Sequence, residues 1–197
     1  MSAAKIRIEE LEKRNKADNA DLNKAKKKID ALEAYNRLDN LIIAGLPSVN
    51  YAEAATGGSS VNHENSATEQ AVLQLANDML NVPLKTEDIS IAHRISKRMD
   101  NEPARIIVRF TNRKAHNSVY AAKRSLKQYG RNSDQKIYVN EDLTSATAEL
   151  FRRVREMVKR KVFHSFWTSG GVVFVKKSSA RDSQPVKLSL STNLQSL

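Results

Sequence analysis

Four histidines, at positions 63, 93, 116 and 164, are the only imidazoles in a chain without cysteine. No two of them are spaced to place a pair of ligands on one helix face, and no thiolate exists to complete a set. Metal binding and thiolate chemistry are therefore not expected. His93 falls within an alternating strand pattern and reads as a hydrogen-bonded core residue. Glu141 and Asp142 are adjacent carboxylates just ahead of a helix, where the helix dipole favours negative charge. They read as a capping pair rather than an acid–base pair. Gly57-Gly58 and Gly170-Gly171 lack the Lys-Ser/Thr or GxGxxG context of a phosphate loop and read as turns. Serine and histidine occur, but no nucleophile elbow organises them. No catalytic residue and no cofactor is expected, and the chain reads as a non-enzyme.

Charge is the stronger signal. The net charge is +11, yet residues 40–84 contain no lysine or arginine, while residues 143–197 carry ten basic and three acidic side chains. Uniform solubilisation would not need that asymmetry, so an anionic partner is expected, with nucleic acid favoured over a membrane surface. The longest apolar run, Leu41 to Leu46, is far too short to cross a bilayer. The first residues, Met-Ser-Ala-Ala-Lys, open directly into charged sequence with no apolar signal core. A cytoplasmic or nuclear location is expected, and secretion is not.

These side chains need elements to hold them. With Ile8 at heptad position a, Leu11 falls at d, Leu22 at a, Ile29 at a and Leu32 at d, with Asn15, Asp18 and Asn36 as polar interruptions. The residues that would meet across neighbouring helices are Arg7 with Glu12, Arg14 with Asn19, Asp21 with Lys26 and Lys28 with Glu33; three pairs attract and none repels. Residues 1–38 therefore read as a self-associating coiled coil. Residues 39–142 read as strand, helix, strand, strand, helix, strand: Asn40 to Pro47, a helix from a Ser66/Glu69 capping box to Pro83, Ile89 to Ile95 with Ile91 and His93 on one buried face, Arg105 to Phe110, residues 112–129, and Ile137 to Val139. A mobile loop is expected over about 48–65. Residues 143–197 read as a helix capped by Thr144, a hairpin turning at Gly170-Gly171, and a third strand at Val186 to Leu190. The fold class is α+β, with a ferredoxin-like central domain.

The order of these parts resembles a family. Arg105-Ile-Ile-Val-Arg-Phe-Thr111 followed by Ala121-Ala122-Lys123-Arg124 is similar to the RRM of the first open-reading-frame protein of LINE-type retrotransposons, and Leu41 to Pro47 and Ile91-Ala-His-Arg94 are similar to its first two strands. Ile137 to Thr144, the basic helix after it, and Trp167 through Gly171 to Val175 resemble the C-terminal domain of baculovirus few-polyhedra (FP) proteins. The first resemblance implies a coiled-coil homotrimer that binds single-stranded RNA or DNA as a coat or chaperone. The second implies the alternative, a viral structural or assembly factor acting through protein contacts. Arg7-Ile-Glu-Glu-Leu-Glu12 fits the trimer-associated Arg-h-x-x-h-Glu pattern, whereas Ile at a with Leu at d favours dimers, and trimer is preferred. The match departs from an RRM where Ile42, Arg105 and Ile107 stand in place of stacking aromatics, so backbone electrostatics must carry more of the affinity.

The expected nucleic-acid surface comprises Arg94, Arg105, Arg109, Lys123, Arg124 and Lys127, joined by Arg152, Arg153, Arg155, Lys159 and Arg160 from the basic helix. Arg105, Arg109, Lys123, Arg124, Arg152, Arg155 and Lys159 are expected to line one groove. Trp167 could stack on a base; packing of the hairpin onto the helix is favoured for it. Oligomerisation is assigned to Arg7, Ile8, Leu11, Glu12, Leu22, Ile29, Leu32 and Glu33.

Overall fold

A computed structural model describes residues 3–47, 60–95, 103–129, 136–180, 182–190, 192 and 194. The chain is mixed α and β: a long N-terminal helix precedes a four-stranded and a three-stranded sheet, both antiparallel.

Helix α1 spans Ala3–Arg37, is about 52 Å long at 1.5 Å per residue, and buries no residue. Its apolar seam stays in solvent, with Leu22 50% and Leu32 65% exposed. Strand β1 (Asn40–Ala44) follows after a two-residue turn and lies between β3 (Ile106–Phe110) and β4 (Tyr138–Glu141), with β2 (Ile89–Arg94) outside β3. Helix α2 (Ser60–Gln74), prolonged by a π-helical turn over Leu75–Met79, and helix α3 (Arg113–Ala122) supply the other layer. Alternation along the strands sends Leu41, Ile43, Ile106, Val108, Phe110 and Val139 into a core closed by Val72 and Val119.

Three expectations change here. Helix α2 begins at Ser60, so Ser66 lies inside it and is no N-cap. Serine can sit within a helix by turning its hydroxyl outward, so the capping-box pattern does not oblige a start. Of the expected loop, residues 60–65 are therefore helical, and 48–59 lie outside the described residues. In β2 a register shift between Ile89 and Ile91 breaks the alternation. It buries Ile89 and Ala92 and leaves Ile91 45% exposed, with His93 half-buried on the face away from the core. The helix expected over 112–129 is α3, a 3₁₀ turn at Lys123–Ser125 and a short α4 at Leu126–Tyr129.

The C-terminal unit starts with α5 (Ser145–Lys159), whose first turn is capped by the Thr144 side chain accepting from the Thr147 N–H at 3.2 Å. Strands β5 (Ser165–Ser169), β6 (Val172–Lys176) and β7 (Val186–Leu188) form the second sheet. Gly170 and Gly171 close the β5–β6 hairpin with φ of +59° and +72°, the left-handed pair that a tight two-residue turn requires. Leu150, Val154, Phe163, Val173, Val175, Leu188 and Leu194 form its own core. Leu197, expected beside Leu194, lies outside the described residues.

Candidate nucleic-acid interface

The two sheets meet along one seam. The Tyr120 hydroxyl, at the end of α3, donates to the Thr168 carbonyl at 3.1 Å and sits 3.0 Å from its Oγ1, while Gly170 N–H donates to Glu141 Oε1 at 2.7 Å. Behind the seam, Asp142 accepts from Arg37 at 2.8 Å and from Asn40 at 3.0 Å. Glu141 and Asp142 thus tie the hairpin and α1 to β4; the capping expected of them is done by Thr144. Burial holds the Tyr120 phenol neutral, its pKa pushed up to about 12.

Beside this seam lies a cleft of about 1130 Å³. The end of α3, the 3₁₀ turn and α4 supply Tyr120, Lys123, Arg124 and Lys127, β4 with its preceding residues supplies Lys136 to Asn140, and β5 supplies Trp167 to Ser169. Lys123 lies 3.6 Å above the Tyr120 ring. Its half-burial lowers its pKa; the Glu141 carboxylate opposes that shift and Arg124 adds to it. Among the described residues, none of Lys123, Arg124, Lys127 and Lys136 is in an ion pair with a carboxylate. Four cations on a concave surface suit a polyanion, which gains more from them where water is partly excluded.

The expected surface does not come together as one groove. Only Lys123, Arg124 and Lys127 of its members line the cleft. Arg109 is exposed on the face of the four-stranded sheet away from the helices, opposite Asn40 and Ile91, and Arg105 is half-buried just before β3, its Nε without a hydrogen-bond partner among the described residues. Arg94 donates to the carbonyls of Leu46, Pro47 and Ala104, so it closes the ends of β1 and the β2–β3 connection. Arg152, Arg153, Arg155, Lys159 and Arg160 are exposed on α5; Arg152 pairs with Glu149 at 2.7 Å and Lys159 with Glu156 at 2.8 Å. Arg155 lies over the Phe151 ring at 5.5 Å.

The hairpin explains this separation. Phe166 packs on Phe151 of α5 with centroids 4.8 Å apart, and the next residue along the strand, Trp167, points to the opposite face. The α5 cations and the cleft are thus on opposite sides of the second sheet. Trp167 is 37% exposed and lies outside the second core, so the packing role expected for it falls to Phe166.

Sequence reasoning missed Lys136 and Tyr138 as cleft residues, and Phe174, which stacks on Trp167. The hairpin carried a usable signal for Phe174: with the turn at Gly170-Gly171, position 167 falls opposite 174. Among the described residues, no group of three His, Asp or Glu side chains is arranged to hold a metal ion, and no helix is long and apolar enough to cross a membrane. No protein-family model matches the chain, and no curated protein matches it in sequence.

Proposed function

We propose that the protein is a non-enzymatic, self-associating binder of single-stranded RNA or DNA, of the LINE first-open-reading-frame type, and that its strand-binding site is the cleft between the two sheets. The observation that carries this reading is the set of cations at Lys123, Arg124, Lys127 and Lys136, without carboxylate partners among the described residues, along a cleft with an exposed indole in its wall. Phosphates supply the charge such a set lacks, and a sequence-tolerant strand needs no further reading. The sheet order β2-β3-β1-β4, with a helix after β1 and another after β3, supports a ferredoxin-like, RRM-type domain. The helix, hairpin and third strand after it support an FP-like C-terminal domain.

Self-association runs through α1, where Ile8, Leu11, Leu22, Ile29 and Leu32 are all at least half exposed along one seam. The pairs Arg7 with Glu12, Asp21 with Lys26 and Lys28 with Glu33 favour a parallel second copy, and a trimer is the preferred state. Within one chain Arg7 already pairs with Glu10 at 3.2 Å and Glu33 with Arg37 at 2.7 Å, so assembly exchanges those partners.

The test is the affinity of labelled single-stranded oligonucleotides for two variants. Changing Lys123, Arg124, Lys127 and Lys136 to Gln should weaken binding by at least about tenfold, or 1.4 kcal/mol. Changing Arg153, Arg155 and Arg160 to Gln should do much less. Wild-type affinity in the cleft variant would refute the site. No strand binding by the unaltered protein would favour the assembly-factor reading instead.

A further inference from the structure

Among the described residues the four-stranded sheet lacks a paired aromatic platform: Ile42 and Ile107 stand opposite each other where an RRM would carry its rings, and Tyr138 on the same face lies opposite Ala44. The second sheet has one. In its register Trp167 lies opposite Phe174, Phe174 opposite Lys187, and Ser165 opposite Lys176, so Trp167, Phe174, Lys176 and Lys187 share a single face. That face is turned away from α5 and its core, because the alternate residues Phe166, Val173 and Val175 pack there. The Trp167 and Phe174 rings are nearly parallel, 11° apart in plane, with centroids at 5.8 Å. Among the described residues neither lysine is paired with a carboxylate.

We propose that this face is a nucleobase-stacking site, in which Trp167 receives the flat face of an unpaired base and Lys176 and Lys187 take the neighbouring phosphates. The proposal rests on the nucleic-acid reading above and names the part of the strand that the second sheet recognises. Phe174 is a positioning residue: its ring lies nearly parallel to the indole and fixes the indole's orientation. An indole faces any base equally well, so the site selects unpaired strands over duplex without selecting sequence. Lys187 follows Phe174 across the sheet and Lys176 lies beside it along β6, so both ammonium groups border the ring pair on its Phe174 side; an apolar protein partner would have no use for them, whereas a strand carries a phosphate beside every base. Because Trp167 also lines the cleft, a strand stacked there continues directly towards Lys123, Arg124 and Lys127.

Trp167 is the sole tryptophan of the chain, so any change in tryptophan emission arises at this residue. The full-length protein should be titrated with oligo(dT), with an oligonucleotide of equal length lacking bases, and with inorganic polyphosphate. Oligo(dT) should quench Trp167 emission. The abasic strand should bind without quenching and about 5- to 150-fold more weakly, the span of measured base–aromatic stacking. Trp167→Ala, outside the second core, should bring oligo(dT) down to the abasic affinity and leave polyphosphate unaffected. Equal affinity of the abasic strand and oligo(dT), or unquenched emission with oligo(dT) bound, would overturn the stacking site and leave the cleft reading standing. Failure of all three to bind would overturn both.

Discussion

For the proposed strand site, salt dependence is the sharpest measure of how many phosphates the cleft would hold. Four cations without carboxylate partners among the described residues line it, and each single-strand phosphate neutralised releases counterions that contribute about −0.7 to the slope of log affinity against log salt. The expected slope is therefore about −2.8, equivalent to about 50-fold weaker binding at 200 mM than at 50 mM salt. If Lys176 and Lys187 also reach phosphates, six contacts bring it to about −4.2. Replacing Lys127 alone, which is exposed and carries no resolved structural load, should make the slope shallower by about 0.7. The quadruple cleft variant should retain about −1.4 if the second sheet still engages the strand. Fluorescence anisotropy of a labelled oligonucleotide over a salt series measures each value. A wild-type slope shallower than about −1.4 would mean that fewer than half of the expected contacts form. A slope that responds to Arg153, Arg155 and Arg160 but not to the cleft would place the strand on α5 and refute the assignment.

Three further outcomes are expected. Lys123 must be an ammonium to hold phosphate, and because burial lowers its folded pKa below the ordinary 10.5, affinity should fall as pH rises through that lowered value; Lys123→Arg should keep its affinity to higher pH, and identical pH profiles would refute this. Gly45 has φ +85°, and a Cβ there would lie 2.1 Å from the Lys136 carbonyl oxygen, so Gly45→Ala should cost at least about 3 kcal/mol in urea unfolding, through left-handed strain together with a clash that parts β1 from β4; less than about 1 kcal/mol would contradict the packing. Leu22→Asp with Ile29→Asp should reduce the assembly to monomers in light scattering without altering either sheet domain, and an unchanged mass would show that the α1 seam is not the interface.

Local chemistry made most elements legible. The apolar alternation of Arg105 to Phe110, the cap at Thr144 and the glycine pair at 170–171 each determine their own neighbourhood, and the strands and helix they announce are present. The errors arose where the deciding force was not local. The bulge that turns Ile91 outward has no side-chain signature, because it depends on how β2 pairs with β3. The orientation of Trp167 could have been read from parity: the aliphatic pair Val173 and Val175 must face the core, which sends Phe174, and across the hairpin Trp167, the other way. The separation of the α5 arginines from Lys123 and Arg124 could not. It depends on which face of the second sheet α5 covers, a packing choice that helix periodicity does not encode.

The join between α1 and the sheet converts helical phase into compass direction. Only Leu38 and Asp39 separate the helix from β1, and both ends of that turn are held: Arg37 by Asp142, and Asp39 by Arg113 at 2.8 Å and, through its carbonyl, by the Phe110 N–H at 2.9 Å. Whichever side of α1 meets another copy therefore also sets the bearing on which each cleft opens outward. Inserting one residue within α1, ahead of its last turn, would rotate the preceding seam by about 100° about the helix axis relative to the sheets. If copies join through α1 as proposed, their clefts would stand like fixed berths around a mast, and the angle between berths, rather than any added contact, would set how short a strand could moor at two of them at once.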